Sequence, residues 1–251
     1  MLDKVKKIIL NKKTLIALII IVVLLVALYF IKNMNKITKL EKIKIEEKSS
    51  EISDYFDEFT EGKDDDGKYV NFAIEYLYNS KDQTTFTIED IIKVIKENFD
   101  IEYDEKKIGE IGISARMHAK GIVYDSSINS FKYDGKRTMA DVAADKIIYF
   151  KISKIKKNNK NNFKVTYDKY VVEKPFDIYN YYNNYNIEHY DDKKEQYDTK
   201  EITDYLKGEG KISTMKRIAR EETKTSFGSL DGKIVVSYII KDDKLLIKSI
   251  D

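Results

Sequence analysis

Apolar positions along this chain fall into an unbroken run, stretches at helical spacing, and stretches that alternate. The unbroken run is Leu15 to Phe30, LIALIIIVVLLVALYF, sixteen residues without a charge, thirteen of them Leu, Ile, Val or Phe. With Thr14 and Ile31 it reaches eighteen residues, about 27 Å of helix against a hydrocarbon core of about 30 Å. A buried core helix of that length normally carries a polar stripe, and none is present. A cleavable signal peptide has a shorter apolar stretch and a small-residue exit, whereas the run leaves through Tyr29-Phe30-Ile31-Lys32. The expectation is a retained transmembrane signal anchor over 14–31, with Leu15, Ile20, Leu25 and Phe30 in the span. Lysines flank both ends in similar number, but Lys12 and Lys13 abut the run. That proximity, and the long chain beyond, predict residues 1–13 as a cytoplasmic tail and the C-terminal domain outside a cell membrane.

Beyond the run, Ile45, Ile52, Tyr55, Phe56 and Phe59 share one helical face, so 32–66 reads as a stalk or first helix ending in an acidic turn. Val70, Ala73, Ile74 and Leu77 predict a second helix. Thr87-Ile88-Glu89-Asp90 is a helix start, because the threonine hydroxyl accepts from a free backbone N–H and acids suit the first turn. From about residue 108 the period shortens. Strands are expected over 109–124, 130–134, 147–155 and 163–172, the last two joined by the polar hairpin loop KKNNKNN. Two short helices, near 199–207 and 214–222, precede a terminal hairpin, 233–240 with 244–250, around Asp242-Asp243. The soluble part, 67–251, is thus expected to be α+β: N-terminal helices packed on one curved, mainly antiparallel sheet.

Composition narrows the chemistry. The chain has 251 residues and no cysteine, which excludes disulfides and thiolate sites. Lysine outnumbers arginine 41 to 4, tryptophan is absent and Pro175 is the only proline. Ile, Asn, Lys and Tyr all have A/T-rich codons, pointing to a low-GC genome. The net charge is +2, of which residues 1–31 carry +4 (five Lys, one Asp), leaving −2 on the remainder. A near-neutral domain has no global attraction for phosphate backbones, so nucleic acid is not an expected partner.

No residue constellation commits the chain to catalysis. His118 and His189 stand far apart with no second histidine beside either, so no zinc spacing exists. Ser114 and His118 with an aspartate form a paper triad that no nucleophile-elbow pattern supports. Gly62-Lys63-Asp64-Asp65-Asp66-Gly67 lacks the spaced acids of a calcium loop, and Gly109 and Gly112 suit a strand edge or bulge better than a phosphate. The segment Asp177 to Tyr190, DIYNYYNNYNIEHY, is the densest in aromatic and amide groups. Tyr181, Tyr182 and Tyr185, with His118, are therefore the candidate ligand-binding residues, able to stack and hydrogen-bond a sugar or peptide; the competing reading packs those tyrosines onto the sheet. No metal and no cofactor is expected.

The stretches TIEDIIKVIKENF, 147–172 and GKIVVSYIIKDDKLLIKSID give an order of helices, then long strands, then a closing hairpin. That order resembles membrane-anchored nuclear-transport-factor-2-like or cystatin-like domains, over about 70–251. The helical insertion at 199–222 departs from their simplest form. The resemblance implies a curved sheet around N-terminal helices and a scaffold role in a secretion or envelope assembly. The expected function is a non-enzymatic interaction domain whose partners are the bilayer and other envelope proteins. The alternative is a domain holding a wall fragment, peptide or lipid in a cone-shaped pocket; an anchored hydrolase comes third.

Overall fold

This computed structural model describes residues 16–26, 36–61, 67–81, 83–104, 108, 122–133, 146–174, 178–180, 199–207, 212–221 and 228–251. Within the apolar run, residues 16–26 are helical and exposed, Ile20 and Leu25 among them, while Leu15 and Phe30 lie outside the described residues. Among the described residues no helix is long and apolar enough to cross a membrane. This corrects the expectation of a single-pass transmembrane anchor. The cell-membrane location and the extracytoplasmic orientation drawn from that anchor fall with it.

Helix α1 (Lys39–Ile52) opens on a capping box. The Thr38 hydroxyl accepts from Glu41 N–H at 3.2 Å, and Thr38 N–H donates to the Glu41 carboxylate at 2.9 Å, so two otherwise orphaned donors are satisfied. Its inward positions, Ile45, Ser49 and Ile52, are buried in the main core. A 3₁₀ turn (Ser53–Tyr55) and α2 (Asp57–Glu61) break the single long helix that the spacing suggests, and α3 (Gly67–Lys81) follows. A short strand, β1 (Thr85–Thr87), leads into α4 (Ile88–Asn98), where Thr87 and Asp90 form a second capping box.

The fold is α+β with two antiparallel sheets, where the sequence predicts one. The smaller sheet has the order β1-β3-β2, with β2 at Ile122–Asp125 and β3 at Ser130–Tyr133. β3 pairs with β2 across the turn at 126–129 and with β1, and Phe86, Ile122 and Phe131 join the main core. Of the expected strand 109–124, residues 109–121 lie outside the described residues. The larger sheet is the meander β4 (Ile147–Lys157), β5 (Asn162–Val172), β6 (Ser229–Lys241) and β7 (Lys244–Ile250). Helices α5 (Thr199–Leu206) and α6 (Ile212–Glu221) interrupt it between β5 and β6. The β6–β7 turn sets Asp242 at φ 50° and Asp243 at φ 60°. Paired left-handed residues match the twist of a two-residue hairpin, and aspartate tolerates them.

Three irregularities in register explain why the strands alternate imperfectly. Ser153 is an extra residue in β4, between the pairs Ile152–Tyr167 and Lys154–Thr166. It reverses the phase of the strand, so Ile155, three positions after Ile152, points to the same face and meets Val165. Lys248 does the same in β7, bringing Ile250 onto the face of Ile247. Asp231 is the extra residue of β6, beside Gly232 at φ 128°. At Gly228, φ 81°, a Cβ would fall 2.2 Å from Val171 O, so only glycine lets β6 enter the sheet there.

The main core lies between the inner face of the large sheet and helices α1 to α4. Aromatic rings fill it: Phe72 and Phe99 meet at 4.9 Å, Phe56 and Tyr167 at 5.3 Å, and Phe59 and Phe99 at 5.5 Å. A second cluster forms on the outer face, where Ile202, Tyr205, Met215 and Ala219 of α5 and α6 cover Ile147, Tyr149 and Val172. It covers only the first half of β4.

Candidate functional site

The sequence-level candidates His118, Tyr181, Tyr182 and Tyr185 all lie outside the described residues, as does the acidic run 62–66. Among the described residues no group of three or more His, Asp or Glu side chains is placed to hold a metal.

The most buried charges pin α6 to the turn after α1. Lys216, 1% exposed, puts its ammonium 3.0 Å from Asp57 Oδ2 and also donates to Asp54 O. One turn on, Arg220 grips the Asp54 carboxylate with both terminal nitrogens and donates to Ser53 Oγ at 3.3 Å. Fork-on-carboxylate geometry of this kind fixes orientation as well as charge. These groups are turned towards one another, and the Lys216–Asp57 pair is closed off from solvent. Their evident work is docking α6 against the 3₁₀ turn and β4.

The inner face of the sheet holds a hydroxyl chain. Ser49 Oγ donates to Ile45 O at 2.6 Å, so Tyr167 donates to Ser49, and Tyr238 donates to Tyr167 at 2.7 Å. Burial pushes Tyr167 up to about 12, although its bonds to Ser49 and Tyr238 act the other way. Phe56 packs edge-on against Tyr167 at 5.3 Å and against Phe150 at 5.9 Å beside this chain.

Open surface of a different character runs along the second half of β4. This strand is at the edge of the sheet, and α6 covers its first half, Ile147–Phe150, which is buried on both faces. Beyond Phe150 that cover ends. A groove of about 570 Å³ separates Ile152, Ser153, Lys154 and Ile155 from the start of α1 at Ile37 and Lys39. Half-buried Ile37, Ile152 and Ile155 supply its apolar surface. Lys157 ties its two walls together: the ammonium lies 2.7 Å from Glu41 Oε1 and 5.8 Å from the centre of the Phe163 ring. Burial raises the Glu41 carboxyl, but Lys157 and the Thr38 cap outweigh it and hold the group below its ordinary value.

The outer face beside the groove is basic. Lys151 lies 5.7 Å and 5.8 Å from the ring centres of Tyr149 and Tyr170, which stack at 5.2 Å. Burial, then the neighbouring Tyr170, pushes Tyr149 up to about 12. Further along, Lys156 faces Lys164 directly across the strand pair. The edge itself is poorly suited to pairing with another strand, because the Ser153 bulge interrupts its ladder and lysines line it. Side chains, rather than backbone, are what this surface offers.

Sequence reasoning passed over this region because its isoleucines sit three apart and its lysines look like ordinary solvated positions. Only the repeated lysine among them, KISKIKK, marked it. No protein-family model matches the chain, nor does any curated protein or solved structure.

Proposed function

We propose that the folded part of this chain is a non-catalytic interaction domain that holds a partner protein along the second half of β4. The observation that supports this reading is the groove where Ile37, Ile152 and Ile155 stand among polar and charged side chains, open to solvent, on a strand whose other half is buried. An aliphatic side chain of a partner gains burial there at about 25 cal/mol per Å². The groove's walls, an edge strand and a capped helix start, are tied by Lys157 and Glu41, which reduces what must be ordered on binding.

A photocrosslinking residue in place of Ser153, with a control in place of exposed Ile128 on the far β2–β3 turn, tests this in the cells that make the protein. The expected result is a heterologous adduct from position 153 alone. The captured protein, once purified, should bind saturably and lose that binding with Ile37→Asp, while circular dichroism shows the variant folded. Equal adducts from both positions, an adduct made only of a second copy, or none at all overturns the proposal.

A further inference from the structure

We infer that the partner presents an acidic, aliphatic-bearing extended segment, a reading that rests on the interaction site proposed above. Charge around the second half of β4 is lopsided. Its carboxylates are already engaged: Glu41 with Lys157, Glu46 with Lys42 at 3.5 Å, and Asp168 with Lys233 at 3.3 Å. Among the described residues Lys39, Lys154, Lys156 and Lys164 have no ion-pair partner. Lys39 and Lys154 stand on opposite walls of the groove. Lys156 and Lys164 stand directly opposite each other on neighbouring strands, an arrangement of like charges that costs stability. A carboxylate set between them converts that repulsion into two attractions.

The chemistry favours a protein segment over a nucleic acid. Among the described residues the arginines, Arg217 and Arg220, both lie on α6, so the described positive charge beside the groove is lysine, without a guanidinium fork for phosphate. The aromatic rings nearest it, Tyr149 and Tyr170, stack on each other beneath Lys151, leaving no platform for bases. The groove's isoleucine surface suits an aliphatic side chain. Acidic and aliphatic residues in alternation satisfy both features: one set meets the lysines and the other enters the groove.

Fluorescence anisotropy on the purified full chain tests this with labelled peptides of alternating Glu and Ile, of alternating Ser and Ile, and with an oligothymidylate. The Glu/Ile peptide should bind at least about tenfold more tightly than the Ser/Ile peptide. Raising salt from about 50 to about 300 mM should weaken it by about tenfold, as screening shortens the range of the lysine field. Lys154→Gln with Lys156→Gln and Lys164→Gln should abolish that preference, and the three Arg replacements should keep it. Equal binding of the Ser/Ile peptide, absence of Glu/Ile binding, insensitivity to salt, or tighter binding of the oligonucleotide overturns the inference. The crosslink at position 153 separates the two claims. If it persists undiminished in the triple Gln variant, the interaction site stands and its acidic preference falls; if no adduct forms from position 153, the site itself falls.

Discussion

The two halves of β4 show one strand in two environments. Ile147–Phe150 is buried on both faces, by the α1–α4 core on one side and by α5 and α6 on the other. After Phe150 the inner face is still backed by the main core, while the outer face and the edge are open and carry lysine. Strand propensity does not set the difference, since the lysine-rich second half, with only Ile152 and Ile155 β-branched, is strand all the same. It comes from what packs against them. Buried Lys216 and part-buried Arg220, on one helix, hold the second cover in place over the first half alone. A half-covered edge strand is thereby divided into a structural segment and a presenting one.

That division is open to test. Its sharpest prediction is that Phe150→Ala, in the doubly covered half, costs about 3–5 kcal/mol. Ile155→Ala in the open half should cost clearly less, because its side chain is already partly in water. Urea unfolding of the two variants measures both, and equal losses would abolish the distinction. Next, Lys216→Met leaves Asp57 buried without its ammonium and should cost about 3–5 kcal/mol. Adding Asp57→Leu should restore much of the loss, which a double-mutant cycle reports.

A smaller effect appears at high pH. Tyr149 and Tyr167 are each raised to about 12 from 10.0, chiefly by burial. The unfolded chain therefore loses these protons first, and their contribution is complete below pH 10 and fades as pH climbs from about 10 to about 12. Denaturation across that range should show falling stability, with a gentler fall in Tyr149→Phe and Tyr167→Phe; an unchanged slope would remove burial as the cause. Smallest of all, Lys154→Gln and Lys156→Gln should alter stability by no more than about 0.5 kcal/mol, as for exposed positions generally, while changing the binding described above.

Much of the fold's local grammar was legible. Thr87 with Asp90, the Asp242-Asp243 turn and the hairpin loop after Lys157 are short-range chemistry, in which residues a few positions apart satisfy one another. Thr38 with Glu41 carries the same signature, though helical spacing alone did not single it out. The apolar run illustrates the opposite outcome. Hydropathy led to a transmembrane anchor, whereas no described helix is long and apolar enough to cross a membrane. The candidate site was less legible. Ile152 and Ile155 share a face only because Ser153 is an extra residue, and a bulge belongs to a strand pair, not to one strand.

By itself, then, the sequence determined the caps, turns, the helical faces and the α+β class, because these depend on contacts between near neighbours and on the periodicity of side chains. It also determined that no thiol chemistry occurs. Tertiary structure alone decided that the strands divide into two sheets, that Lys216 is buried against Asp57 and not solvated, and that cover stops midway along β4. Those outcomes rest on contacts between residues far apart in the chain, whose energies depend on burial. A lysine's burial is set by what packs around it, which its neighbours in sequence do not specify.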